Sequence, residues 1–301
     1  MNRHSFVPVL ALLVSATAGA AVDPDLLKFV MPEAKVLYGI QVRQTLASPF
    51  GQFALSQMPA DGPIARFTAA TGFELQRDLR EILMANASPF GPGQNADALI
   101  LASGTFATDK FIALATIAGA TVSDYHGVAT IATQGRGGQV FAFLDSSTIA
   151  IGSEDMLHGV IDRRDSATYF SGPLSLKARD ASAAGDAWFA TVSPFEVSSS
   201  SAGGFNPAML LQSVIESWAG VHFDAGGLTL SAEALTHSPT EAQGLVGMLK
   251  LASGMVKGTP AAALQNAQVT ASGPVMRVTL TITEEDLERS IPLGARRRAA
   301  R

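Results

Sequence analysis

The stretch TIAIGSEDML, which runs from Thr148 to Leu157, contains the two local signals on which the predicted fold rests. Its first five residues alternate isoleucine with smaller residues, a pattern that predicts a half-buried strand. Ser153 then offers a side-chain oxygen to the first helical amides, and Glu154 and Asp155 place negative charge where the helix dipole favours it. The stretch therefore predicts a strand that leads directly into a capped helix, which ends near Asp162.

The same ending recurs later in the chain. The alternating strand from Val275 to Ile282 runs into Thr283-Glu284-Glu285-Asp286-Leu287, with the same capping chemistry. A buried strand precedes each ending by nearly the same distance, from Ala98 to Gly104 in the first half and from Gly227 to Glu233 in the second. The repeated order predicts an internal duplication.

From this duplication we predict an α+β fold of two tandem β-α-β-α-β-β-α units with mainly antiparallel sheets. Residues 22–170 form the first unit, with an insertion at 73–93, and residues 185–291 form the second; the two are joined through residues 171–185. Residue periodicity predicts strands and helices in both units. The further strands are 34–42, 125–133, 139–144 and 186–192, and the further helices lie near 48–58, 63–71, 109–119, 207–219 and 240–256.

The first 20 residues are typical of a secretory signal peptide. Arg3 supplies positive charge, Phe6 to Val14 is largely apolar, and Ala18-Gly19-Ala20 places small residues at a cleavage spacing. No later stretch approaches the roughly 20 apolar residues that a membrane-spanning helix needs. We therefore expect an exported chain, periplasmic or extracellular, that begins at Ala21 or Val22 and has no transmembrane segment.

Charge and cysteine content restrict the function classes further. The chain has 21 Lys and Arg against 26 Asp and Glu, a net charge of −5, and this balance disfavours nucleic-acid binding. With no Cys, it has neither a disulfide framework nor a thiolate chemistry. For residues 292–301 we predict a disordered basic tail. The alternative is that the arginines of this tail contact an anionic surface.

Sequence motifs for catalysis are missing. The chain contains no G-x-S-x-G, S-x-x-K, H-E-x-x-H or G-x-G-x-x-G pattern. His126, His158, His222 and His237 are scattered, and the acidic clusters lie at predicted helix starts, where carboxylates are favourable without any chemistry. We therefore predict no catalytic, cofactor-binding or metal-binding residues.

The tripeptide Ser-Pro-Phe occurs three times, and its aromatic residues are Phe50, Phe90 and Phe195. Ser followed by Pro is typical of a loop or helix start, so structural punctuation is the favoured interpretation. The alternative is a partner-docking role for the three rings. With Arg296, Arg297 and Arg298 of the tail, they are the candidate docking residues.

Four short motifs carry a resemblance to a known class. They are Ala34-Lys35-Val36-Leu37-Tyr38-Gly39, Gly72-Phe73-Glu74-Leu75-Gln76-Arg77-Asp78-Leu79, Tyr125-His126-Gly127 and Ile149-Ala150-Ile151-Gly152. Together they resemble exported bacterial proteins of a domain-of-unknown-function class, in which a duplicated α+β unit follows a signal peptide. The resemblance covers most of Ala34 to Ile291 and implies fold and export, but no catalytic residues.

These observations favour an exported, non-catalytic protein that binds an unknown protein or small ligand, or that associates with the cell envelope. The alternative is a secreted hydrolase whose residues converge only in three dimensions. A deep cleft with two or more convergent titratable groups would favour the hydrolase.

Overall fold

A computed structural model of the chain describes residues 21–56, 59, 62–89, 98–132, 139–166, 169–195, 211–255, 265–283 and 285–286. The predicted signal peptide and basic tail lie outside these residues. The described residues form an α+β fold with one antiparallel sheet, which confirms the predicted fold class. Among them, no helix is both long and apolar enough to cross a membrane.

Twelve strands of the described residues make up the sheet. Their spatial order is β11-β12-β10-β9-β8-β1-β2-β3-β7-β6-β5-β4. The strands are β1 (Val36–Gln41), β2 (Leu79–Asn86), β3 (Leu99–Gly104), β4 (Thr121–Tyr125), β5 (Val128–Ala132), β6 (Val140–Phe143), β7 (Thr148–Gly152), β8 (Ala187–Thr191), β9 (Val214–Asp224), β10 (Gly227–Thr236), β11 (Gln268–Ser272) and β12 (Val275–Thr283). We call β1 to β7 the first half and β8 to β12 the second half.

Helices pack on both faces of this sheet. They are α1 (Pro24–Leu27), α2 (Val42–Ala47), α3 (Pro49–Ser56), α4 (Pro63–Thr71), α5 (Leu75–Asp78), α6 (Thr108–Ile117), α7 (Glu154–Arg164), α8 (Pro173–Ala184) and α9 (Pro239–Met255). Paired residues on neighbouring antiparallel strands share a face, so the strand register assigns each side chain to one side.

Face A of the sheet carries Leu37 of β1 and the residues in register with it. Its core joins α1, α7 and α8 to the central strands, with Leu26, Leu157 and Ala178 almost completely buried. Helix α8 approaches β9 so closely that a side chain at Gly220 would overlap the backbone of Ala181. Face A is therefore tightly covered in the middle of the sheet.

Face B is the opposite side and carries Tyr38. In the first half, α2, α5 and α6 contribute to an aromatic-rich cluster that includes Phe111 and Phe143. In the second half, α9 packs on β10 and β12 through Leu245 and Val246. The two halves therefore cover the same face with different sets of helices.

The halves meet where β1 pairs with β8, and Tyr38 lies opposite Phe189. In the first half β3 lies between β2 and β7, and in the second half β10 lies between β9 and β12. Ser153 caps α7 by accepting a hydrogen bond from the Met156 amide at 3.4 Å, and Thr283 accepts one from the Asp286 amide at 3.2 Å. The internal duplication stays a prediction, but both residues make the hydrogen bond expected of a helix cap.

The structure corrects three sequence predictions. Residues 79–86 of the predicted insertion at 73–93 form β2, an interior strand between β1 and β3. Of the predicted helix at 207–219, residues 214–219 belong to strand β9, and residues 207–210 lie outside the described part. The predicted strand 125–133 is interrupted by a turn at His126 and Gly127, which have φ values of 51° and 77° and separate β4 from β5. Helix α8 lies in the predicted joining segment 171–185, whose role as a link between two units stays a prediction.

Candidate functional site

A cavity of about 620 Å³ lies on face B of the first half, between the sheet and helices α4 and α6. We call it the first-half cavity. Five strands supply its floor, and the aromatic and aliphatic side chains of α4 and α6 supply the opposite wall. The floor residues are Leu79, Ile82, Ile100, Ala102, Ile131, Phe141, Phe143, Ile149 and Ile151.

Strand register explains why these floor residues come together. One row across the sheet aligns Ile100 with Ile151 and then with Phe141. The neighbouring row aligns Ala102 with Ile149. Residues two apart on a strand share a face, so both rows point into the same space.

Phenylalanine rings form the helical wall. The Phe67 ring of α4 stacks on the Phe111 ring of α6 with centroids 5.4 Å apart, and Phe111 stacks on Phe143 of the floor at 5.7 Å. Phe73 and Phe106 stack beside them at 5.9 Å. These rigid rings hold α4 and α6 away from the strands, and the space between them is the cavity.

The cavity lining is almost entirely apolar. Its one side-chain hydroxyl belongs to Thr71, which donates to the Phe67 carbonyl oxygen at 2.7 Å and accepts from the Phe73 amide at 3.0 Å. Among the residues that the structure describes, no titratable side chain lines it. Such a lining can bury an apolar ligand but has no group for proton transfer or nucleophilic attack.

The most acid–base-like pair lies elsewhere. His222 Nδ1 is 3.0 Å from Asp186 Oδ2, and the same carboxylate oxygen accepts the Phe223 amide at 2.9 Å. Strand register places His222 on face A of the second half, so this pair and the first-half cavity are on opposite faces. Within the described ranges, no group of three or more His, Asp or Glu side chains could hold a metal ion.

A buried carboxylate lies directly behind the cavity floor. Glu81 is on face A, 2% exposed, and in register with Gln41 and Ser103, whereas its neighbour Ile82 lines the cavity on face B. Glu81 Oε2 accepts the Asp23 amide at 3.1 Å, and Oε1 accepts no hydrogen bond from the described residues. Burial raises the pKa of Glu81 from 4.5 to about 7.

A second cavity, of about 220 Å³, lies between α9 and the strands of the second half. We call it the second-half cavity. Leu245, Met248 and Leu249 of α9 line one side, and Phe195 closes part of another. It has about a third of the volume of the first-half cavity.

The structure separates the candidate docking residues. Phe50 is 43% exposed and stacks on Phe223 at 5.3 Å, whereas Phe195 is half-buried against Phe189 and in the core below α9. Ser48 accepts the Gly51 amide at the start of α3, as structural punctuation predicts. Phe90, Arg296, Arg297 and Arg298 lie outside the described residues. Phe50 and Phe195 do not form a common surface motif, because their environments differ.

None of the residues that the sequence offered as site candidates lines the first-half cavity. Four of the five phenylalanines from residue 67 to residue 111 were a possible signal, since Phe67, Phe73, Phe106 and Phe111 lie in two short segments. A phenylalanine is ordinarily a core residue, however, and the pattern does not show that these rings border an unfilled space.

Comparison with known proteins gives a likeness in fold. No protein-family model matches the chain, and no curated protein matches it. The structure of crystal form III of TP0453 is similar, with a TM-score of 0.54 and 9% identity, over 90% of this chain and 100% of that chain. Crystal form IV of TP0453 has a TM-score of 0.51 and 10% identity, over 90% and 98% of the two chains. At these identities the chain shares a mixed α+β fold with TP0453, and the likeness extends to the fold alone.

Proposed function

We propose that this protein is an exported, non-catalytic binding protein that holds an apolar ligand in the first-half cavity. The observation that carries the proposal is a volume of about 620 Å³ whose described lining has a single hydroxyl, already hydrogen-bonded within the protein. Small-molecule sites commonly span roughly 300–1,000 Å³ and are mostly apolar.

The hydrophobic effect supplies the affinity. A ligand that buries about 300 Å² of apolar surface gains roughly 7 kcal/mol before the entropic cost of binding is subtracted. The lining offers no hydrogen bond to fix a polar group, so specificity depends on the shape and length of the apolar part. This combination suits a hydrocarbon chain better than a sugar, nucleotide or peptide.

The hydrolase alternative has weaker support. A hydrolytic site needs a nucleophile or activated water beside titratable groups, and the described lining of the first-half cavity includes no titratable side chain. The Asp186–His222 pair is on the opposite face of the sheet. Binding without catalysis is therefore the better proposal.

A cavity-filling substitution tests the proposal. Ala115 of α6 lines the cavity, whereas Ala113 of the same helix is exposed and does not. With a neutral probe such as N-phenyl-1-naphthylamine, we expect saturable binding to the full chain and at least about tenfold weaker binding to Ala115→Trp. Ala113→Trp should bind like the unmodified protein. Thermal unfolding of each variant is measured in parallel.

A second variant protects the test against misfolding. Ala118 lines the cavity and is exposed, so Ala118→Trp can obstruct it from the outer end of α6 without overpacking the core. It should also weaken probe binding. Absence of saturable binding to the unmodified chain, or equal binding by the Ala113 and Ala118 variants, would contradict the proposal.

Export is part of the proposal and has its own test. Val22 is buried and its backbone N–H donates to Ser182 Oγ at 3.1 Å, whereas Ala21 is exposed. A charged α-amino group is tolerated better at the exposed position, which favours Ala21 over Val22 as the first residue. N-terminal sequencing of protein recovered from periplasm or medium should begin at Ala21, and an intact Met1 would contradict export.

Envelope association through the tail is the remaining part. If the arginines of residues 292–301 contact an anionic surface, deleting Arg296 to Arg301 should abolish sedimentation of the protein with anionic vesicles. Sedimentation that survives the deletion would contradict this role of the tail. Ligand binding in the cavity does not depend on the outcome.

A further inference from the structure

We propose that the ligand of the first-half cavity is an anionic amphiphile with one hydrocarbon chain, and that Arg66 and Lys110 hold its head group at the cavity entrance. This inference rests on the proposed function and names the ligand class of the same site. It follows from what the lining lacks and from the charges beside it.

A charged head group cannot be buried with the chain. The described lining residues include no charged side chain, and their one hydroxyl, that of Thr71, already donates and accepts a hydrogen bond within the protein. Burying an ionised group without a partner costs far more than burying the hydrocarbon gains. The head group must therefore stay at the entrance, and the entrance charges decide its sign.

Helix geometry places two cations beside the lining. Arg66 precedes the lining residue Ala70 by four positions on α4, and Lys110 precedes the lining residue Leu114 by four positions on α6. Residues four apart lie one turn from each other on the same side of a helix. The stacked rings of the next residues, Phe67 and Phe111, bring these two turns together.

Both cations are available to a ligand. Arg66 and Lys110 are exposed, and neither forms an ion pair with a carboxylate in the part of the chain that the structure describes. Nearby Arg77, in contrast, is engaged by Glu74 at 2.9 Å and by Asp78 at 2.7 Å.

The neighbouring anion does not offset them. Asp109 is neither three nor four positions before a cavity-lining residue, so it projects from a different side of α6.

A single acyl chain suits the volume of the first-half cavity, which is in the range of one drug-sized ligand. Free fatty acids and monoacyl phosphate lipids share this chemistry of one chain and an anionic head.

Four probes of equal chain length test the inference on the full chain. They are palmitate, 1-palmitoyl lysophosphatidate, hexadecanol and hexadecyltrimethylammonium, each titrated below its critical micelle concentration at pH 8. We expect the better anionic probe to bind about tenfold more tightly than hexadecanol, the effect of one or two exposed ion pairs. High salt should remove that difference, because exposed charges are screened.

Charge-neutralising variants locate the effect. Arg66→Gln/Lys110→Gln should bind the anionic probes no better than hexadecanol, with hexadecanol affinity unchanged. The control Lys35→Gln/Lys250→Gln removes two exposed cations whose side chains do not line the cavity, so it changes net charge equally. It should retain the preference for anions.

The outcomes separate this inference from the proposed function. Equal binding of hexadecanol and the anions, or tighter binding of the cationic probe, overturns the anionic ligand class and leaves apolar binding intact. A preference that survives in the Arg66/Lys110 variant overturns the assigned residues. Failure of all four probes overturns the proposed function itself. Among supporting outcomes, tighter palmitate binding identifies free fatty acids, and tighter lysophosphatidate binding identifies monoacyl phosphate lipids.

Discussion

The two halves of the sheet cover face B with helices of different lengths. In the first half, the nine-residue α4 and the ten-residue α6 rest on stacked phenylalanines and leave about 620 Å³ beneath them. In the second half, the 17-residue α9 packs directly on the strands and leaves about 220 Å³. Aromatic rings between short helices keep space open, whereas one long helix with aliphatic contacts fills more of it.

The halves also differ in the ion pairing of a glutamate that is buried in one half and half-buried in the other. Glu81 in the first half makes no ion pair with the described residues, and its pKa is raised to about 7 by burial. Glu233 in the second half contacts Lys177 at 3.7 Å and Arg277 at 3.0 Å. The first half therefore combines looser packing with a buried acid that forms no ion pair with the described residues.

The largest expected effect concerns packing. Leu245 of α9 is 1% exposed. Leu245→Ala should lower the free energy of unfolding by about 4 kcal/mol, because the surrounding residues cannot move in to fill the space that the side chain leaves. Both residues border a cavity, but Ile151 is only half-buried and borders the larger one, so Ile151→Ala should cost only about 1–2 kcal/mol because fewer contacts are lost. Urea unfolding measures both.

An exposed residue of the same helix supplies the control. Leu251 of α9 is 55% exposed, and Leu251→Ala should change stability by less than about 0.5 kcal/mol. Equal costs at Leu245 and Ile151 would show that the first half is as tightly packed as the second. That result would remove the physical basis of the comparison.

The second prediction uses pH to compare the two glutamates. The folded-state pKa of Glu81 is raised, so its protonated form stabilises the fold below about pH 4.5, and this contribution is lost as the pH rises through about 7. The loss is on the order of 3 kcal/mol over that interval. Glu81→Gln should remove it and be more stable than the unmodified protein at pH 8.

Glu233→Gln should behave in the opposite way. It leaves Lys177 and Arg277 with one fewer anionic partner, so we expect a loss of about 1 kcal/mol at pH 8. Denaturant unfolding at pH 4.5, 6 and 8 measures both variants against the unmodified chain. Parallel pH curves for the Glu81 variant and the unmodified chain would show that Glu81 titrates normally.

The elements that the sequence predicted well depend on local signals. The start of α4 at Pro63, the cap of α7 at Ser153 and strand β7 all appear where short patterns placed them. Capping, proline at a first helical turn and strict alternation act within a few residues. They therefore remain visible in a single sequence.

Strand β9 was predicted as a helix for a physical reason. It carries apolar residues on both faces, Trp218 on face A and Val221 on face B, because α8 covers one side of this region and neighbouring structure half-buries the other. A strand buried on both faces loses the alternation of polar and apolar residues that identifies strands. Its pairing with β8 and β10 decides its conformation.

The cavity was invisible for a related reason. Its floor joins residues from Leu79 to Ile151 through the register of five strands, and its wall depends on how far Phe111 holds α6 from that floor. Sequence patterns identify apolar residues but not the distance between two packed layers. For the same reason, the sequence does not show that the cations Arg66 and Lys110 lie beside that cavity.

The smallest expected effect compares the two helix caps at the ends of the halves. Ser153 begins the 11-residue α7, which buries Leu157 and Ile161, so Ser153→Ala should cost about 1 kcal/mol. Thr283 is exposed, and the hydrogen bond that it accepts from the Asp286 amide is open to solvent, so Thr283→Ala should cost less than about 0.5 kcal/mol, because water can replace that bond. Urea unfolding resolves this difference, and probe binding should be unchanged in both variants because neither residue lines a cavity. An equal cost at both positions would mean that Thr283 caps a helix packed as firmly as α7, and the two halves would then be more alike at their ends than across face B.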